Sequence, residues 1–256
     1  MRLGSENSVG TRTRHEGEVI ASARRRSQDS VTQFTVVFDF GGVLAAHHNP
    51  VPVVHAEVGG EYESVREVYW RERVKLDGGE ISVVEYWRAV CEAGAIGEPT
   101  AEEIEALIAL DNRYWGQIAK GSRELIHDLA RNSVRIALLS NTNAPFGEYV
   151  RQQEWFEPFE FAIISAEEKV QKPDLEIFEI LLDAIAHETG GVAKPRNVIF
   201  FDDLQSNVDA ARKLGIDAHY WPRNDRTVAS DTAAESDRPG WEIAREILTE
   251  RGVPLG

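Results

Sequence analysis

The chain has 256 residues, 42% of them hydrophobic, which is enough for one sizeable core and a small second domain. It contains no run of eighteen apolar residues to span a membrane, and its lone cysteine, Cys91, excludes an internal disulfide and suits a reducing, cytoplasmic setting. A formal net charge of −15 argues against nucleic acid or an anionic membrane as a partner.

Residues 1–33 hold six Arg, no Lys and four acids, without apolar period. They predict a disordered extension, and Glu6, Glu16, Glu18 and Asp29 count against a transit peptide. The rest of the chain is then more acidic than the whole. A site for an anion must therefore supply its own local positive charge. TVVFDF (35–40) predicts the first strand. NPVPVV (49–54) reads as a connector whose prolines prevent a continuous helix.

Residues 61–118 predict helices only. In EYESVREVYWRERVK, the residues Tyr62, Val65, Val68 and Tyr69 fall on one face. Ser82 with Glu85 and Thr100 with Glu103 form capping-box patterns that open two further helices. Beyond residue 121 the pattern changes. Helix-like RELIHDLAR leads to the strand VRIALLS (134–140) and the apolar run FAIIS (161–165). PDLEIFEILLDAIAHE predicts a helix with Pro173 as its first residue. NVIFFDD (197–203) predicts a strand, LQSNVDAARKLG a helix stopped by Gly215, and DAHYW (217–221) a last strand.

Apolar strands alternating with helices imply an α/β fold with a parallel sheet covered on both faces. The expected organisation has four parts: the 1–33 extension, an α/β core over 34–49 and 119–222, an inserted helical domain over 50–118, and a polar linker with a short helix over 223–256.

Three strands end in polar groups: Asp39, Ser140 with Asn141, and Asp202 with Asp203. Lys172 follows the FAIIS run. In open α/β sheets, ligands bind outside the carboxyl ends of the strands, so these groups are expected to converge. Asp39 and Asp203 would repel one another unless a cation lies between them. Hard oxygen ligands with room for water suit Mg²⁺, to which the Gly41 carbonyl can add a third oxygen. The ion and Lys172 make the positive focus that the acidic body lacks. Ser140 and the amide of Asn141 can hold an oxyanion. Asp39 is then free to attack in line, splitting phosphate-ester hydrolysis into two displacements through an aspartyl-phosphate.

FDFGGVL, LSNTN, KPDLEIF and FFDDLQSNVDAARKLG, in that order, resemble the four motifs of the haloacid dehalogenase superfamily. The helical insert resembles its class I cap. The likeness is greatest to the subgroup with the phosphatase domain of soluble epoxide hydrolase and bacterial sugar-phosphate phosphatases. It implies a Rossmann-like sheet in the order 3-2-1-4-5. It also implies Asp39 as nucleophile and metal ligand, Gly41 as carbonyl ligand, and Ser140 and Lys172 as phosphoryl ligands. Asp203 would ligate the metal, and Asp202 would orient it from behind.

Gly41 departs from the pattern. Most phosphatases of that superfamily carry a second aspartate there, which protonates the leaving group. Its absence favours a good leaving group or a substitute acid, for which His47 and His48 are candidates. Tyr69, Trp70, Arg73 and Trp87 are candidate substrate contacts from the insert, and Cys91 reads as a small buried apolar residue.

The expected function is a magnesium-dependent phosphatase for a small phosphorylated metabolite, acting as monomer or homodimer. The alternatives are a 2-haloacid dehalogenase, which needs no metal, and a binding or regulatory protein that has lost turnover at Gly41.

Overall fold

The computed structural model describes residues 34–46, 49–222 and 238–256. The Arg-rich 1–33 extension, His47 and His48, and most of the polar linker, 223–237, lie outside the described residues.

Five parallel strands form one sheet: β1 (Thr35–Phe38), β2 (Arg135–Ser140), β3 (Phe161–Ile164), β4 (Val198–Asp202) and β5 (Asp217–Tyr220). Their order is β3-β2-β1-β4-β5, as expected. Val36 and Phe38 face one side of β1 and Val37 the other, the period of two that a pleated strand imposes. Ile136, Leu138, Ile199 and Phe201 share the first side with Val36, while Ala137, Leu139, Val198 and Phe200 share the second with Val37. Both faces are buried, so the three central strands carry continuous apolar runs rather than alternating residues.

Helices cover each side. Leu125, Ile126 and Leu129 of α5 (Lys120–Arg131), Phe146 and Val150 of α6 (Ala144–Arg151), and Leu248 of α10 (Gly240–Glu250) pack on the first face. Ile177, Phe178 and Leu181 of α8 (Leu175–Thr189) and Val208 and Ala211 of α9 (Gln205–Lys213) pack on the second. The short α7 (Ser165–Glu168) follows β3 directly.

Between β1 and α5 the chain makes four helices: α1 (Val51–Val58), α2 (Tyr62–Asp77), α3 (Val83–Ala93) and α4 (Ala101–Trp115). Both expected capping boxes are present. Ser82 and Thr100 accept from the backbone N–H of Glu85 and Glu103, whose carboxylates accept in return. The apolar faces of these helices bury one another in a third cluster, separate from the two on the sheet, that includes Val54, Val65, Tyr69, Trp87 and Cys91.

Two proline readings are corrected. Residues 51–58 are helical although Pro52 lies within them. A proline in the first turn removes an N–H that has no intrahelical acceptor anyway, so it does not break the helix. Pro173 is not the first residue of α8: the helix starts at Leu175 with Asp174 as its cap. The Lys172–Pro173 peptide is cis, and the Asp174 N–H closes a turn onto the Gln171 carbonyl before the helix begins.

Candidate active site

The carboxyl ends of β1, β2 and β4 open into one cleft of about 330 Å³. Asp39, Gly41, Ser140, Asn141, Lys172 and Asp203 line it, so the sequence-predicted residues converge. Asp202 lies beneath the cleft, fully buried.

Local structure places each group. The Asp39 N–H bonds the Phe201 carbonyl at 2.9 Å, extending the pairing of β1 with β4 and fixing where the carboxylate emerges. The chain then turns, with the Leu44 and Ala45 N–H groups returning to the Phe40 carbonyl. Gly42 makes this possible at φ +73°, in the left-handed region that glycine enters without steric cost. Gly41 needs no such freedom. A Cβ built there meets nothing within 4 Å. Gly41→Asp is therefore expected to fold with a melting temperature within a few degrees of wild type, checked by thermal denaturation; a large drop would show a constraint at this turn.

Lys172 is the hub. Its Nζ lies 2.8 Å from Asp39 Oδ1, 2.7 Å from Asp202 Oδ2 and 2.8 Å from the Leu139 carbonyl. Asn141 fixes the lysine's backbone: its Nδ2 donates to the Lys172 carbonyl at 2.8 Å and its Oδ1 accepts from the Lys172 N–H at 2.9 Å. The side chain of Asn141 is thus a tether, and its backbone amide remains the part offered to an oxyanion. Burial works against the Lys172 ammonium, but Asp202 and Asp39 outweigh it, and its pKa lies above the usual lysine value.

Asp202 is occupied on both oxygens. Oδ2 meets Lys172, and Oδ1 accepts from the Leu204 N–H at 2.8 Å and from Asn207 Nδ2 at 2.9 Å. It therefore anchors the lysine and the start of α9 together. The side-chain oxygen of Asn207, Oδ1, is buried with no hydrogen-bond partner among the described residues. Asn207 lines the cleft, so this orphan acceptor belongs to the site.

The donor set fits a divalent cation. Carboxylate oxygens of Asp39, Asp202 and Asp203 lie within 4.8 Å of one another. Three carboxylates thus gather around the one ammonium of Lys172, and an orphan oxygen beside them adds a further acceptor. The Asp39 carboxyl records the strain: burial pushes its pKa up to about 7 against the attraction of Lys172, and Asp202 and Asp203 add to the rise.

A carboxyl raised in the folded state contributes stability below its ordinary pKa, and that contribution is lost as pH climbs through about 7. Without divalent cation, the wild-type melting temperature is expected to fall relative to that of Asp39→Asn between about pH 4 and pH 8. Magnesium should close that gap. Parallel melting curves across this range would refute it.

The opposite wall comes from α2 and α4. Trp70, Arg73, Asp77 and Trp115 line the cleft there. Trp70 and Arg73 are where sequence reasoning put them. Tyr69 and Trp87 are not: both are buried in the helical cluster, where an apolar stripe was the stronger signal. Tyr69 still acts indirectly, donating to Asp111 at 2.6 Å and accepting from Arg73 Nη1 at 2.7 Å.

Asp77, Trp115 and Asn207 escaped the sequence reading. Asp77 stands four residues after Arg73, the spacing of a helical ion pair, and Asn207 is a polar residue beside buried Val208 and Ala211 on α9. Those were the available signals. His47 and His48 lie outside the described residues.

An acidic cleft at a sheet's switch point, with a lysine locked into it, defines a Rossmann-like α/β enzyme. The chain belongs to the haloacid dehalogenase-like hydrolases: the family model matches residues 35–215. It is 27% identical over 187 residues to sesquiterpene phosphatase astK of Aspergillus oryzae, covering 70% of this chain and 85% of that protein. It is 23% identical over 197 residues to the plasmid-encoded protein CbbY of Cupriavidus necator, covering 71% and 75%.

A HAD family enzyme of Bacteroides thetaiotaomicron, solved with magnesium and inorganic phosphate, shares the fold at a TM-score of 0.58 and 23% identity, over 76% of this chain and 96% of that one. The L-2-haloacid dehalogenase of Xanthobacter autotrophicus shares it at 0.57 and 16% identity, over 83% and 97%. Among the described residues, no helix is long and apolar enough to cross a membrane.

Proposed function

We propose that this hydrolase is a magnesium-dependent phosphatase acting on a small phosphorylated metabolite through an aspartyl-phosphate. One observation carries the reading: Asp39, Asp202 and Asp203 cluster around Lys172 in a cleft that also holds an orphan oxygen, a donor set that suits a cation. The clustered carboxylates favour this reading over a metal-free dehalogenase. The magnesium and phosphate in the Bacteroides enzyme and the phosphatase named in Aspergillus support the same choice.

In this reading Asp39, Asp203 and the Gly41 carbonyl would hold Mg²⁺. When bound, the ion neutralises charge on the transferring phosphoryl group and screens the two acids from each other. Lys172 aims Asp39 and opposes the burial that would protonate it, and its positive charge faces a phosphoryl oxygen. Ser140 and the Asn141 amide take the others. The attacking oxygen of Asp39 forms the bond to phosphorus in line with the bond that breaks. Residues 34–49 and 119–222 form the catalytic core, and 50–118 act as a cap whose Trp70, Arg73, Asp77 and Trp115 face the leaving group.

Phosphate release from a panel of small phosphoesters, with and without magnesium, tests this. Magnesium-dependent release is expected. Halide release from a 2-haloacid without metal would replace the reading with the dehalogenase one. No turnover of either kind would leave a binding protein.

A further inference from the structure

Among the described residues, the turn that carries Asp39 offers no proton donor for a departing oxygen, because Gly41 has no side chain and the space where one would grow is open. The facing wall of the same cleft does have a carboxyl group. Asp77 ends α2 and lines the cleft with Asp39, Ser140 and Lys172, its side chain 17% exposed.

Asp77 is held in place from several sides. Arg73 Nε donates to its two oxygens at 2.9 and 3.1 Å. Asn143, three residues beyond Ser140, approaches Oδ1 with Nδ2 at 3.4 Å. Ser165 Oγ donates to its backbone carbonyl and accepts from the Thr142 N–H. The carboxyl is thereby tied to the loop that carries Ser140 and Asn141, not merely to its own helix.

Asp39, Lys172 and Asp203 line the same cleft, and buried Tyr86 interacts with Asp77 electrostatically. Arg73 is on the same helix, and Asp111 on α4 shares that guanidinium through Nη1 at 2.9 Å. Glu167, on the α7 side, is committed to Arg151. One guanidinium thus serves two carboxylates. Burial pushes the Asp77 carboxyl up to about 6; Arg73 opposes this and Asp111 adds to it. Both protonation states are then within reach near neutral pH, as acid–base catalysis requires.

We propose that Asp77 is the general acid and base of this site, giving its proton to the leaving oxygen and later taking one from the attacking water. The proposal rests on the phosphatase reading. In the first displacement, an Asp39 oxygen bonds phosphorus as the ester P–O bond breaks. The electron pair goes to the leaving oxygen, which takes the Asp77 proton and departs as an alcohol. Arg73 then faces the new Asp77 carboxylate. In the second, water bonds phosphorus, its proton passes to Asp77, and the Asp39–phosphorus bond breaks to return the carboxylate. The sum is ester plus water to alcohol plus phosphate, with both aspartates restored.

The test is kcat/KM of full-length wild type and Asp77→Asn, with magnesium, on esters from alkyl phosphates to p-nitrophenyl phosphate. Protonation matters most for poor leaving groups. Asp77→Asn is expected to lose roughly 10²–10⁴-fold on alkyl phosphates and under about tenfold on p-nitrophenyl phosphate. The wild-type decline in rate at rising pH should vanish with it. Gly41→Asp added to Asp77→Asn should restore alkyl turnover.

An equal loss on every ester would mean that Asp77 only positions Arg73, and it overturns the proposal. So would a large gain on alkyl phosphates from Gly41→Asp alone, since that gain requires that no acid is already present; this arm stands even if Asp77→Asn does not fold. Wild type inactive on all esters would instead remove the phosphatase reading itself.

Discussion

Asp39→Asn is expected to fold normally and to lose turnover by on the order of 10⁴–10⁶-fold. The amide is isosteric with the carboxyl, and the Asp39 N–H bond to Phe201 that seats the residue is a backbone contact, untouched by the change. An amide, however, cannot form the acyl-phosphate. It also lacks the charge that pairs with Lys172 at 2.8 Å. Lys172 keeps Asp202 at 2.7 Å and the Leu139 carbonyl, so the lysine is not stranded. Phosphate release together with a melting curve checks both halves. Retained wild-type kcat in a purified variant would sink the nucleophile assignment. A collapsed fold would show that the Asp39–Lys172 pair matters more to stability than this geometry implies.

Asp202→Ala is expected to cost stability more than any other single change in the cleft, about 3–5 kcal/mol. The carboxylate is fully buried and serves three donors: Lys172 Nζ, the Leu204 N–H and Asn207 Nδ2. Removing it leaves a buried ammonium with one carboxylate fewer and leaves the first turn of α9 without its acceptor. Breaking one side of a buried pair strands the other charge, which is worse than never having had the pair. For a chain of this size the melting temperature should fall by roughly 6–20 °C. Asp202→Asn should fall less, since its side-chain oxygen can still accept from Leu204 N–H. Differential scanning calorimetry measures both. An Asp202→Ala variant that melts with wild type would mean that Lys172 finds a second anchor. A role for Asp202 confined to orienting a metal would leave stability unchanged, so the experiment separates anchoring from metal support.

Several features of this protein follow from local sequence. The strands were legible because a parallel sheet buried on both faces demands unbroken apolar runs, such as VVF in β1 and IFF in β4. The helix starts at Ser82 and Thr100 were legible because a capping box is closed within four residues. The prolines misled where position within a turn decides: Pro52 sits in a first turn that tolerates it, and Pro173 precedes its helix rather than opening it. Convergence of Asp39, Ser140, Lys172 and Asp203 was foreseeable, because strand ends in an open sheet share one edge.

The strand order was implied only by the resemblance of the four motifs; by itself, the sequence determined most of the elements, their parallel pairing and the edge where the polar residues meet. Each of these depends on periodicity, caps and turns that act within a few residues. Only the tertiary structure decided how the charges pair. Lys172 reaches Asp202 across 30 residues, Asn141 clamps the Lys172 backbone across 31, and Arg73 reaches Asp111 across 38. Asp77 meets Asn143 across 66, which brings the helical insert to the Ser140 loop. No local pattern encodes such partners. They are selected when burial strips water from several charged groups at once, and the arrangement that leaves the fewest of them uncompensated is the one that persists.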